Sequence, residues 1–478
     1  MDSGSFQFIV FGLSAAWVSN FSNSRLWRSI VLMLSSFIFI CLLSPSAVML
    51  LPLAGFLILG YAGLLVLERG RRGFLMWTVL SVVFGYVWLK KYSFLPSGSF
   101  LRFHYFTLGL SYIFFRVLHL LIETGESREK RHVGPGAYLL YTLNFTTLIS
   151  GPIQRFEEFA QDQFAERPIA LEWRVIGLQL ERLVRGFFKV NVLAMLLHMI
   201  QEDALAQISQ PLPPGLKIFA ACRLAAVYPF FLYANFSGYI DIVIALARLM
   251  RVRLPENFDR PFSASSFLDF WSRWHITLSV WLKTYVYNPL LMTLMRRFSS
   301  LTLQPFLGVF CFFVTFFLVG VWHGRTSEFA VFGVLQGGGV AINKLWQLAL
   351  IRAMGRKGYK TVASNSMYVA FGRGLTFSWF AFSLFWFWAG WEQIDRIFAA
   401  IGPAQWLGVW VTVWIGATFV LAAWEALRAA LLSIEYSGLP MLLSRYARVV
   451  YASAMGFVAF IMTVLLNQPA PAIIYKAF

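Results

Sequence analysis

Ser29 to Leu67 reads SIVLMLSSFIFICLLSPSAVMLLPLAGFLILGYAGLLVL and carries no charged residue. A helix crosses the hydrocarbon core of a bilayer in about 20 residues, so this run is too long for one crossing. Ser44-Pro45-Ser46 interrupts it, and proline both lacks a backbone donor and breaks a helix. Two successive membrane helices follow. Further uncharged runs are Gly73–Leu89, Val133–Gln154, Phe298–Trp322, Gly374–Trp391, Ile397–Trp424 and Val449–Tyr475. None alternates polar and apolar residues, which excludes a β-barrel.

Composition leads to the same class. The chain has 478 residues, 59% of them hydrophobic and 13% charged, whereas a soluble domain is roughly 25% charged. The expected fold is all-α, a polytopic membrane protein of roughly 11 transmembrane helices with re-entrant and interfacial helices beside them. The longest polar stretches, Glu123–His132, Arg155–Arg174 and Arg248–Arg260, are too short to bury a core. Residues 1–478 therefore read as a single integral membrane domain. Phe6–Asn20 lacks a basic leader and a clear cleavage site, so it reads as a retained first membrane segment. The halves are unlike, which argues against a transporter built from inverted repeats.

The formal net charge is +18. In a soluble protein this would suggest nucleic acid. Here the cations sit in short connections: Arg69, Arg71 and Arg72; Lys90 and Lys91; Arg248, Arg251 and Arg253; Arg352, Arg356, Lys357 and Lys360. Their expected partner is the lipid bilayer, with anionic headgroups facing cytoplasmic loops, and no nucleic acid. Cys41, Cys222 and Cys311 lie in or beside apolar segments. They read as small core hydrophobes, forming neither a disulfide framework nor a metal site.

Two segments are poor spans. Tyr138–Gly151 is short and ends in Ser150-Gly151-Pro152, the pattern of a re-entrant piece, which needs protein or water around its free backbone groups. Phe267–Met292 is too polar to cross lipid and reads as interfacial or cavity-lining. Within it stands Asp269-Phe270-Trp271-Ser272-Arg273-Trp274-His275-Ile276-Thr277-Leu278-Ser279-Val280-Trp281-Leu282. Read as one helix over Asp269–Tyr287, it pairs Asp269 with Arg273 four residues on. Trp271, Trp274, Leu278, Trp281 and Tyr285 fall near one stripe; His275, Ser279 and Leu282 fall on another. The plain alternative for the tryptophans is an interfacial aromatic belt.

A second histidine ends the apolar run at Val321-Trp322-His323-Gly324. Ionisable groups at membrane depth cost free energy and mark cavities or pathways. With an ordinary pKa near 6.5, a neutral imidazole is available at pH 7 to remove a proton from an alcohol. No Gly-x-Ser-x-Gly nucleophile motif is present, which favours direct transfer over an acyl-enzyme.

Together these motifs resemble the membrane-bound O-acyltransferase family, in its bacterial branch of alginate O-acetylation and teichoic-acid D-alanyl transfer proteins. One signature is Asp269–Leu282, preceded by Pro255-Glu256-Asn257-Phe258 and followed by Tyr285-Val286-Tyr287-Asn288-Pro289-Leu290. Another is Gly320-Val321-Trp322-His323-Gly324, with Gly333 beyond. Weaker matches are Ser150-Gly151-Pro152-Ile153-Gln154-Arg155-Phe156-Glu157-Glu158-Phe159, Tyr233-Ala234-Asn235-Phe236-Ser237-Gly238-Tyr239-Ile240-Asp241 and the closing Ile474-Tyr475-Lys476-Ala477-Phe478. The match covers about residues 150–344.

The resemblance implies helices around a central tunnel, with His323 as catalytic base and His275 as its partner. It implies no bound cofactor or metal. The donor substrate is an acyl thioester, acetyl-CoA or an acyl carrier, and the acceptor is a hydroxyl of an envelope glycan or of a secreted or periplasmic acyltransferase partner. It places the protein in the bacterial cytoplasmic (inner) membrane. Trp274, Trp322, Gln336 and Arg155 are the expected substrate-binding residues. Arg155 suits donor phosphates. Gln336 stands where the family usually has a second histidine, and it hydrogen-bonds but does not titrate. Acetyl transfer leads; D-alanyl transfer from an acyl-carrier protein, or a non-catalytic transporter or scaffold for a secreted acyltransferase, stay open.

Overall fold

A computed structural model describes residues 5–127, 132–436, 439–440 and 444–466. The closing Ile474–Phe478 match and the last part of the Val449–Tyr475 run lie outside the described residues. The described residues form two compact units, residues 5–187 with Gly238–Glu256, and Phe188–Ser237 with residues 257–466. The fold is helical. Among the described residues its one sheet is a two-residue antiparallel pair, Glu435–Tyr436 with Leu439–Pro440.

Among the described residues, 8 helices are long and apolar enough to cross a membrane, and Phe6–Ser19 is a shorter apolar helix. The Ser29–Leu67 run gives two of them, Arg25–Leu43 and Leu51–Glu68, separated where Ser44-Pro45-Ser46 stands. The difference from the larger expected number lies in interrupted runs. Gly374–Trp391, for example, is divided between Ser366–Ser383 and Phe385–Trp388.

In the first unit, Val133–Gln154 contains only the short helix Pro135–Thr142, followed by irregular chain up to Arg155. That chain is enclosed by protein, as irregular backbone in a membrane domain requires. The buried Arg116, on helix Leu110–Glu126, donates to the carbonyls of Tyr141 (3.0 Å), Thr142 (2.9 Å) and Thr147 (2.6 Å). Ser150 N–H donates to the Tyr239 hydroxyl at 3.2 Å, and Gln154 Nε2 to the Arg253 carbonyl at 2.6 Å. Asp241 in turn accepts from Arg182 at 2.9 Å and Arg185 at 3.3 Å. Two of the weaker sequence matches thus meet as scaffold, one holding the other.

The second unit centres on a hairpin of Gln304–His323 and Ser327–Ala363, the latter interrupted at Gly355. The two helices meet through glycine. A Cβ on Gly320 would collide with the Cα of Gly333, and one on Gly333 or Gly337 would lie 2.5 Å from the carbonyl oxygen of Phe317 or Phe313. Such small-residue contacts bring membrane helices together backbone to backbone. Beside the hairpin, Phe377, Phe385, Trp406 and Val409 belong to a buried apolar cluster.

Two sequence expectations need correction. Asp269–Tyr287 is not one helix. Phe267–Arg273 ends at Trp274, a second helix runs over Ile276–Leu282, and Lys283–Tyr287 is a π turn. The tryptophans are not a belt either, since Trp271, Trp274 and Trp281 are 2%, 2% and 7% exposed. The Asp269–Arg273 pair does form, at 2.9 Å. Of the cysteines, Cys311 is buried and Cys222 half-buried, but Cys41 lies on the exposed side of its helix.

Candidate active site

The break at His275 has a local cause. Ser266 caps the first short helix by accepting from Asp269 N–H. The chain preceding that helix then pairs with the chain leaving it. Asp259 N–H donates to the Arg273 carbonyl (2.9 Å), Ile276 N–H donates to the Asn257 carbonyl (3.0 Å), and Phe258 and Trp274 form an antiparallel bridge. Between these bonds His275 adopts φ 47°, ψ 52°. A left-handed histidine costs of order 1–3 kcal/mol and persists only where its surroundings impose it. Here the imposing group is Asn257, whose Oδ1 accepts from Thr277 N–H (3.1 Å) and Thr277 Oγ1 (2.9 Å) and lies 3.2 Å from His275 Nδ1.

His275 is fully buried. Its ring meets Phe236 edge-on at 5.0 Å and lies 6.2 Å from the ring of Trp322. His323 is the last residue of its helix and 3% exposed. Its ring is 4.7 Å from that of Trp322, 5.2 Å from Phe387 and 5.9 Å from Phe332. Trp322 therefore contacts both histidines. Gly324, next in the chain, lies against Phe329, and a Cβ there would collide with that ring unless the ring moved.

Gln336 follows Phe332 by one helical turn and is fully buried. Its Nε2 donates to Ser383 Oγ at 2.7 Å, and Ser383 precedes Phe387 by one turn. The Gln336–Ser383 pair thus lies one turn along from the two phenylalanines that pack on His323. Trp274 stacks on Phe270 at 5.5 Å and is bordered by Phe258 and Phe380 at 5.1 and 5.2 Å. Arg155 belongs to the first unit. It is half-exposed, at the end of the buried irregular chain, with Glu123 at 3.8 Å.

Of the six expected residues, the structure brings His275, Trp322 and His323 into direct ring contact and puts Gln336 in the adjoining layer. Sequence reasoning missed Asn257, although it quoted the residue within Pro255–Phe258. It also missed Ser383 and Phe387, which come from a helix pair far along the chain. Among the described residues, no three His, Cys, Asp or Glu side chains gather as a metal site would need.

This arrangement coincides with a family assignment. The description "membrane-bound O-acyltransferase family" matches residues 31–371, most of the chain. The chain belongs to the membrane-bound O-acyltransferase family. With its apolar helices, it is a multi-pass membrane protein. It is similar to the teichoic acid D-alanyltransferase of Streptococcus thermophilus, 30% identical over 281 residues, which are 57% of this chain and 65% of that protein. It is similar also to the probable alginate O-acetylase AlgI of Pseudomonas fluorescens, 32% identical over 239 residues, 50% of this chain and 44% of that protein. The peptidoglycan O-acetyltransferase of Helicobacter pylori is 32% identical over 212 residues, 44% of this chain and 38% of that protein. The chain thus spans between 38% and 65% of the length of these relatives.

Proposed function

We propose that this protein is an O-acyltransferase of the bacterial cytoplasmic (inner) membrane, with residues 1–478 acting as one membrane domain. It moves an acetyl group from a cytoplasmic thioester, acetyl-CoA or an acyl carrier, to a hydroxyl of an envelope polysaccharide or of a periplasmic relay partner. The observation that carries this reading is the buried pair His275 and His323, both packed on Trp322, in a chain of this family.

The hydroxyl oxygen attacks the thioester carbonyl carbon while its proton passes to His323, the general base. The carbonyl oxygen takes up the negative charge, for which His275 or backbone N–H groups near Gly324 are the nearby donors. The C–S bond then breaks, and His323 returns the proton to the departing thiolate. Burial of both histidines supports exclusion of water, which limits hydrolysis of the donor. Trp322 and Gln336 border the acyl-transfer position, and Trp274 backs the turn that carries His275. Arg155 offers a half-exposed guanidinium to donor phosphates.

A second reading, D-alanyl transfer from an acyl-carrier protein, is favoured by the likeness to the teichoic acid D-alanyltransferase. Mass spectrometry of envelope polymers from cells with and without the protein tests both. Loss of acetyl esters on deletion supports the first reading, loss of alanyl esters the second, and unchanged esters sink both. With purified protein, Arg155→Ala raises KM for the donor and leaves kcat nearly unchanged. An unaltered donor dependence removes Arg155 from the donor site.

A further inference from the structure

We infer that Asn257 is a positioning residue that fixes His275 as the Nδ1–H tautomer, with Nε2 as its acceptor nitrogen. The inference rests on the proposed reading, in which His275 works beside His323, and it assigns that histidine's role.

The argument starts from Thr277. Its backbone N–H can only donate, so the Asn257 side-chain atom 3.1 Å away is the amide oxygen. Thr277 Oγ1 donates to the same oxygen at 2.9 Å. His275 Nδ1 lies 3.2 Å from it. Two lone-pair atoms at that distance repel, so Nδ1 carries the proton. A neutral imidazole has one N–H, which leaves Nε2 as the lone-pair nitrogen. The bond made by one ring nitrogen sets the state of the other.

The arrangement is stiff. Asn257 and His275 are both fully buried. Their backbones are tied through Ile276 N–H to the Asn257 carbonyl, and Phe258 bridges Trp274. One consequence reaches the chemistry. Neutral His275 has no N–H left for an oxyanion, so that task falls to backbone donors near Gly324. At Nε2, His275 can then only accept.

Turnover by purified protein in lipid nanodiscs tests this. Asn257→Leu removes the acceptor oxygen and should lower kcat by about 10²-fold, with KM for donor and acceptor unchanged. Asn257→Asp keeps an oxygen in place and should restore most of kcat. Thr277→Val removes a different bond to the same oxygen and should leave kcat near wild type. Wild-type turnover in Asn257→Leu, with His275→Ala inactive, overturns the inference. So do losses in Asn257→Leu and Thr277→Val that both simply follow lost thermal stability. An active His275→Ala instead overturns the reading in which His275 takes part. If Asn257→Leu does not assemble, 15N spectra of histidine-labelled wild-type protein decide, with His275 assigned by its loss in His275→Ala. A proton on Nδ1 is expected, and a proton on Nε2 overturns the inference.

Discussion

Replacing His323 with alanine should cut acyl transfer by about 10²- to 10⁴-fold, the usual worth of a general base. The protein should still insert, because the ring lies at the end of its helix and the apolar contacts of Gln304–Trp322 remain. Ester formation at matched expression measures the effect, and near wild-type activity excludes His323 as the base. Both histidines were legible in the sequence, because an ionisable residue stands out at the end of an apolar run or amid tryptophans. Asn257 was not legible as a partner of His275. Its role depends on a break in the chain that the Asp269–Tyr287 periodicity hides, since tryptophans at three- and four-residue spacing read as a continuous helix. Arg116 is a similar case. A buried arginine bonded to three carbonyls has no sequence signature, because its acceptors are backbone.

The helix pair Gln304–His323 and Ser327–Ala363 carries His323 at one end of its contact and Gln336 along it. The glycines at 320, 333 and 337 permit that contact, with Gly337 directly against the Phe313 carbonyl. Gly337→Val should force the helices apart. Overpacking of this kind costs about 1–3 kcal/mol. We expect a lower Tm in detergent and a fall in kcat, because separating the helices displaces His323 from Phe332 and the layer of Gln336 on the facing helix. An unchanged Tm with full activity contradicts the tight contact. The uncharged run up to Trp322 announced the first helix. The glycine contact was not legible, because Gly333 and Gly337 mark a close approach only once the facing helix with Phe313 and Phe317 is in place.

Charge orients the second unit. Arg296 and Arg297 end the helix Asn288–Arg297, and Arg352, Arg356, Lys357 and Lys360 occupy the far part of Ser327–Ala363. The contacts of Gly320 with Gly333 and of Phe313 with Gly337 run antiparallel. The basic far part of the hairpin is therefore remote from His323. By the positive-inside tendency the cationic end is expected on the cytoplasmic side and the His323 end on the opposite one. There Trp391 bonds to Ser327 and Glu328. A cysteine-free background, made by replacing Cys41, Cys222 and Cys311, allows a direct test. A cysteine at Lys357 should react with an impermeant maleimide only from the cytoplasmic side, and one at the exposed Glu392 only from the outer side. The reverse pattern inverts the assignment. The membrane class followed from uncharged runs, whereas the number of spans and the break within Gly374–Trp391 did not, because both pieces of that run are equally apolar.

The glycine contact also limits how this protein can change over evolutionary time. Where two helices touch through their backbones, no side chain remains to be traded for a slightly larger or smaller one. The spacing between His323 and the layer of Gln336 and Ser383 is then nearly invariant under point mutation. New acceptors have to be accommodated by exchanging side chains around that fixed frame, and Gln336 stands at a place where such an exchange can be made without moving the helices.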